Sequence, residues 1–176
     1  TSNLKNVSRY LKKKNKDFVS FREPGGSKFS EILRKLILNN KSKTSLKTDF
    51  LLMLASRSEN IDKIIKNNYR KKIILIDRFT DSTIAYQHYG MGISLKLIKS
   101  INDFIIDKYK PDLTILSTVN KKNFKERLKA RTNINKYDKF NFSFYDKVQK
   151  GYLKILKKKK KCIIIDSNKN TIKESS

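Results

Sequence analysis

The run Lys71-Lys72-Ile73-Ile74-Leu75-Ile76-Asp77-Arg78 decides the fold class of this chain. A strand with one wet face alternates apolar and polar side chains, whereas Ile73 to Ile76 is apolar at every position and reads as a strand buried on both faces. Such strands belong to parallel sheets, whose crossover helices cover both sides. The same pattern continues outward. Upstream, residues 17–21 read as a short strand running into a turn at Pro24, Gly25 and Gly26. Apolar residues at i, i+3 and i+4 predict helices over 30–38 and 48–67, separated by the polar linker 39–47. Downstream, helices are expected over 94–108, 121–131 and 145–156, with strands over 111–119 and 162–166. Leu4, Val7, Tyr10 and Leu11 recur at helical spacing, so the chain opens on a helix. The fold class that results is α/β, a central parallel sheet of four visible strands with helices on both faces.

Length and composition narrow the function classes. A chain of 176 residues suits one domain with a single core. Its apolar residues, 38% of the total, form no run near the ~18 that a membrane span needs, and no secretory leader pattern is visible; a soluble cytoplasmic protein is expected. Cys162 heads an apolar run, where a lone thiol reads as core packing, with no disulfide framework. The net charge of +26 invites a nucleic-acid reading. Of the 42 basic residues, however, 34 are Lys and 8 are Arg, the bias an AT-rich coding sequence produces. The runs 12–14 and 157–161 read as solvated faces. Phe140, Phe142, Phe144 and Tyr145 recur at the spacing of core residues, and no nucleic-acid-binding pattern is evident. A basic nucleic-acid module remains the alternative from another class.

Ligands of open parallel sheets bind beyond the carboxyl ends of the strands, where this sequence places its polar clusters. Phe21-Arg22-Glu23-Pro24-Gly25-Gly26-Ser27 sets a cation, an anion and two glycines directly after a strand. It reads equally as a loop whose backbone N–H groups approach a ligand and as an ordinary turn with a surface ion pair. Asp77 and Arg78 close the buried strand: the Arg fork can hold a phosphate bidentately, and the Asp can orient metal-bound water. Thr83 and Gln87 fall one helical turn apart, a hydroxyl and an amide on one face able to read a polar base edge, unless Asp81 or Ser82 simply caps that helix. Six of the eight arginines, Arg22, Arg34, Arg57, Arg78, Arg127 and Arg131, sit in such clusters, which suggests a need for the fork geometry in a chain that otherwise uses Lys.

Four of these segments stand in register with one family. Phe21 to Gly26, then Leu51-Leu52-Met53-Leu54-Ala55-Ser56-Arg57, then Asp77-Arg78-Phe79, then Ser82-Thr83-Ile84-Ala85-Tyr86-Gln87 resemble the successive motifs of bacterial thymidylate kinases. The likeness continues through Pro111 to Thr114, a lid at 127–141 and Gly151-Tyr152-Leu153, and so spans nearly the whole chain. It implies a three-layer P-loop kinase fold, with four of five strands present, that moves the γ-phosphate of ATP to dTMP with Mg²⁺. Arg78 would hold the acceptor phosphate, Arg57 a thymine carbonyl, and Thr83 and Gln87 the thymine edge. Tyr86 would line the sugar and disfavour a 2′-hydroxyl, while Glu23, Pro24 and Arg34 complete the pocket. Met53 stands where the family usually stacks a Phe on the base. Asp77 would sit near the phosphates and the metal. Arg127, Arg131 and Lys136 are the lid cations expected over the transferring group, where one inserted Arg contributes about 10³ to 10⁵ in rate. Asp166 and Ser167 would approach the adenine.

A P-loop reads G-x-x-x-x-G-K-[ST], and here only Thr1 and Ser2 fit its last positions, as ligands of ATP and, for Thr1, of the metal. The first strand and the phosphate-binding loop are expected upstream of residue 1, which makes little turnover the expectation for these residues alone. The resemblance also implies a homodimer, for which residues 50–65 and 98–106 offer apolar surface. A related kinase acting on another nucleotide or deoxynucleoside would keep the same fold.

Overall fold

In a computed structural model of the chain, which describes residues 2–130, 132 and 134–168 with the exception of the Ser2 side chain, the deciding run is strand β2 (Ile73–Asp77). It pairs in parallel with β1 (Phe18–Arg22), in a register from Phe18 opposite Ile73 to Arg22 opposite Asp77. Likewise β3 (Thr114–Thr118) and β4 (Cys162–Asp166) pair in parallel from Thr114 opposite Cys162 to Thr118 opposite Asp166. The α/β class and the parallel pairing are therefore as expected. Of the five-stranded sheet that was expected with four strands present, the described residues form two parallel pairs, and β2 and β3 do not pair with each other. Burial on both faces is correspondingly incomplete, since a two-stranded ribbon leaves an edge and part of each face uncovered. Ile73, Ile115, Ile163 and Ile164 are 41%, 55%, 48% and 51% exposed.

Helix α1 (Ser2–Lys13) precedes β1, and α2 (Lys28–Leu38) and α3 (Leu46–Asn60) follow it. The long helix expected at 48–67 exists as α3, a π-helical stretch Ile61–Ile65 and the short α4 (Lys66–Asn68) in succession. After β2 come α5 (Thr80–Thr83), a π-helical stretch Ile84–Gly90 and α6 (Leu95–Ile106); α7 (Lys121–Lys129) and α8 (Phe142–Leu156) flank the lid. Short polar side chains fix where these helices begin. Ser27, Ser45, Ser94, Asn120 and Asn141 each accept a hydrogen bond from the backbone N–H three residues on, satisfying a donor that the first turn leaves open.

Three apolar clusters hold the elements together. Phe50, Leu54 and Ile98 join α3 to α6, and Ile61, Ile65 and Ile106 pack beneath Phe21, Ile74 and Ile76 of the first sheet. Ala85, Phe144 and Val148 seat the π-helical stretch against α8. The expected irregular lid is also more ordered than its composition predicts: Lys136–Lys139 is a 3₁₀ helix closed by a capping box between Asn135 and Asp138, and Tyr137 and Asp138 are buried.

Candidate active site

The site grows from one buried cation. Arg57, on the third and fourth turns of α3, is 3% exposed, and its guanidinium is shared among three elements. Nε donates to Glu23 Oε2 at 2.8 Å, and Nη1 donates to Thr83 Oγ1 at 2.9 Å and to Asn102 Oδ1 at 2.7 Å. None of these bonds uses Nη2. The ring of Phe79 lies 5.1 Å from the guanidinium carbon. Glu23 therefore belongs to a buried ion pair and not to a surface one; the exposed pair is Arg22 with Glu31 at 3.6 Å. Burial raises the Glu23 pKa above its ordinary value, against the opposing pull of Arg57 and the Asn60 amide.

The glycine loop is held by the protein itself. Gly25 N–H donates to Ser56 Oγ at 3.3 Å, Gly26 N–H to Glu31 Oε1 at 3.0 Å, and Ser27 N–H to Asn60 Oδ1 at 3.1 Å. Asn60 Nδ2 returns a bond to Gly25 O at 2.7 Å, and Ser30 Oγ donates to Asn60 Oδ1 at 3.0 Å. Of the two readings the sequence left open, these bonds match the turn: the N–H groups of Gly25, Gly26 and Ser27 are engaged within the protein. The glycines are required for another reason. Gly25 and Gly26 have φ of 120° and 119°, and a Cβ on Gly26 would stand 2.7 Å from Asn60 Oδ1.

Beside this network the strand ends gather positive charge. Arg34 Nη1 donates to Pro24 O at 2.7 Å. Burial lowers the Arg34 pKa, and the neighbouring Arg22 and Arg78 cations lower it further, with Glu31 and Asp77 opposing. Three guanidiniums thus gather at the carboxyl ends of β1 and β2, with Glu31 and Asp77 offsetting part of their mutual repulsion. Arg78 leaves β2 with φ 70°, in the left-handed region that costs a non-glycine residue of order 1–3 kcal/mol. Its guanidinium carbon lies 5.0 Å from the Tyr86 ring. Thr83 and Gln87, both buried, face α3 together as their spacing predicts: Thr83 accepts from Arg57, and Gln87 Nε2 donates to Met53 Sδ at 3.5 Å. Neither Asp81 nor Ser82 caps α5. Asp81 pairs with Lys159 at 2.5 Å, and Ser82 Oγ accepts from the Tyr152 hydroxyl at 2.6 Å, while burial pushes the Tyr152 pKa up to about 12.

The expected donor side is a looser group. Arg127 Nη2 donates to Ser167 O at 3.0 Å, Ser167 N–H to Thr118 O at 3.0 Å, and Asp166 Oδ1 accepts from Asn168 N–H at 3.0 Å. Arg127, Asp166 and Ser167 are thereby brought together. Thr1 and Arg131 lie outside the described residues, as does the Ser2 side chain. Lys136 is held elsewhere: its ammonium donates to Asp49 Oδ2 at 2.7 Å, Thr44 O at 2.8 Å and Thr44 Oγ1 at 3.1 Å, which uses all three of its N–H bonds. Phe140, Phe142, Phe144 and Tyr145 pack in ring contacts among themselves and with Phe124 and Tyr86, as core residues would. Among the described residues no three His, Cys, Asp or Glu side chains converge as a metal cage. Mg²⁺ asks for less, one or two carboxylates with water and substrate phosphates in its remaining positions, and Asp77 at the end of β2 is a carboxylate of that kind.

Several residues of this site were not anticipated from sequence. Asn60, Ser56 and Ser30 fasten the glycine loop, and Asn102 holds Arg57. Asn102 did leave a signal, being a lone amide at the i+4 step between buried Ile98 and Ile106. Its Nδ2 is the one buried side-chain polar atom among the described residues without a hydrogen bond.

Comparison with known proteins agrees with this geometry. A family model described as thymidylate kinase matches residues 1–176. A thymidylate kinase of Thermosipho africanus is 34% identical over 171 residues, covering 97% of this chain and 85% of that protein. One from Staphylococcus epidermidis is 40% identical over 158 residues, 89% of this chain and 77% of that protein. The crystal structure of thymidylate kinase from Ehrlichia chaffeensis superposes with a TM-score of 0.75 at 34% identity, covering 95% of this chain and 84% of that one. With a match along its whole length, relatives above 30% identity and a shared fold, this chain belongs to the thymidylate kinase family.

Proposed function

We propose that the chain works as a nucleoside monophosphate kinase that takes dTMP as acceptor and the γ-phosphate of ATP, giving dTDP. The observation that carries this reading is the adjacency of two unlike features: three guanidiniums, Arg22, Arg34 and Arg78, beside a polar edge made by the buried Thr83, Gln87 and Glu23-paired Arg57 with the half-buried Met53. The first suits a monophosphate. The second suits a pyrimidine that offers a carbonyl to Arg57 and a polar edge to Thr83 and Gln87. Met53, already in contact with Gln87, packs on the base as a thioether and orients it less strictly than a ring. Tyr86 stands between sugar and phosphate. Arg127 attends the donor; Mg²⁺, which Asp77 and the phosphates would hold, would neutralise charge on the transferring group. Cytoplasmic pools of ATP and dTMP give this activity its setting.

A homodimer is part of the same proposal. Leu51 on α3 and Leu97 and Phe104 on α6 are 54%, 49% and 86% exposed, an apolar face on two adjacent helices. Sedimentation of the chain with Phe104→Asp reads this directly, since a dimer through that face becomes monomeric.

The acceptor assignment is tested by calorimetry of dTMP binding at moderate salt, with UMP, dCMP and dAMP as competitors. Selective dTMP binding that Arg78→Ala abolishes is the expected result. Equal weak binding of all four nucleotides, falling steeply with salt, overturns it in favour of binding governed by charge alone.

A further inference from the structure

The most buried carboxylate among the described residues lies outside every role assigned so far. Asp49, in the first turn of α3, is 0% exposed. An unpartnered carboxylate there would be costly, and its partners come from two other segments. Thr44 Oγ1, in the loop before α3, donates to Oδ1 at 2.6 Å. From the 3₁₀ helix of the lid, Lys136 Nζ donates to Oδ2 at 2.7 Å and the Tyr137 hydroxyl donates to the same oxygen at 3.3 Å. Asn40 Nδ2 adds a bond to Ile134 O at 2.6 Å, so the lid is fastened at two points to the elements that carry the acceptor pocket.

Two physical routes run from this carboxylate to the acceptor. Along α3, residues 49, 53 and 57 follow at i, i+4 and i+8, so Asp49, Met53 and Arg57 occupy one helix face. Through the lid, Tyr137 meets Phe140 at 5.7 Å, Phe140 stacks on Phe144 at 4.2 Å, Phe144 meets Tyr86 at 5.9 Å, and Tyr86 faces Arg78 at 5.0 Å. Both routes end on residues of the proposed dTMP pocket. Packed chains of this kind change between discrete arrangements and do not deform continuously.

We infer that Asp49 is a positioning residue that couples the lid to the acceptor pocket: filling the pocket shifts α3 and the Tyr86 ring together, and Asp49 passes that shift to Lys136 and Tyr137. This rests on the acceptor assignment proposed above. A clamp that only stabilises the fold would lose stability on mutation but leave the lid no different in its response to ligand.

The test is hydrogen exchange at the lid amides 135–139 in the full chain, with and without saturating dTMP, alongside calorimetric dTMP affinity. In the unsubstituted protein, dTMP slows lid exchange about fivefold or more, the low end of ordinary coupling between sites. Asp49→Asn keeps the shape and removes the charge; it abolishes that slowing while dTMP affinity stays within about threefold. Thr44→Val, which removes one donor to the carboxylate and leaves Asp49 in place, weakens the response and serves if Asp49→Asn does not fold. Slowing that persists undiminished in both variants overturns the inference, as does dTMP binding to the unsubstituted protein without any lid response. If dTMP does not bind that protein at all, the acceptor assignment falls, and the coupling with it.

Discussion

Around Arg57 the protein packs Glu23, Ser30, Ser56, Asn60, Thr83 and Asn102, none more than 5% exposed, into a polar network drawn from the β1 loop and helices α2, α3, α5 and α6. Around Arg127 the polar groups are the exposed Arg127 and Asn120 and the half-buried Asp166, Ser167 and Asn168, bonded largely through backbone atoms. The first arrangement suits recognition of a flat, hydrogen-bonding base. Donors and acceptors fixed in a dry cavity discriminate strongly, because a mismatched ligand leaves one of them unpaired. The second suits a flexible polyphosphate, for which charge and reach matter more than rigid shape.

The sharpest way to break this contrast is at its centre. Arg57→Ala leaves Glu23 buried without its counter-ion and is expected to cost about 3–5 kcal/mol in urea unfolding, partly recovered by adding Glu23→Gln. A loss below about 1 kcal/mol would rank the pair with exposed ion pairs and dissolve the distinction. Next is Gly26→Ala, which forces a Cβ into a left-handed residue and toward Asn60 Oδ1. About 1–3 kcal/mol of destabilisation is expected, with weaker dTMP binding in the same sample, since Asn60 also steadies Glu23. Smallest is Arg127→Ala: stability should stay within about 0.5 kcal/mol by the same unfolding measurement, while an ATP analogue binds less tightly. A stability loss comparable to that of Gly26→Ala would show that the donor side is as built-in as the acceptor side.

Much of this site was legible in the chain itself. The unbroken apolar run Ile73 to Ile76 announced a parallel strand, though it is only partly buried, and Arg78 follows at its carboxyl end, where ligands of parallel sheets bind. Thr83 and Gln87 were found by spacing, and they do share a face. The glycine loop was found too, with two readings left open: sequence shows that Gly25 and Gly26 are small, not that Ser56 and Glu31 take their N–H groups from 31 and 5 residues away. Lys136 illustrates the same limit. As a basic residue in a basic lid it reads as a phosphate ligand, and only a partner 87 residues earlier reveals it as the counter-ion of a buried aspartate.

Local patterning by itself therefore determined the α/β class, the presence of the main helices to within a few residues of their ends, and the polar clusters at the strand ends. These follow from apolar period, capping chemistry and backbone freedom, forces that act over a few residues. The tertiary structure decided the pairing of strands into two sheets, the choice of Glu23 over a surface site as the partner of Arg57, the recruitment of Asn102, and the fastening of the lid through Asp49. Those depend on which polar groups are driven out of water together. An unpaired group in a dry interior is costly whichever part of the chain supplies its partner, so such pairs form at sequence distances that no local pattern encodes.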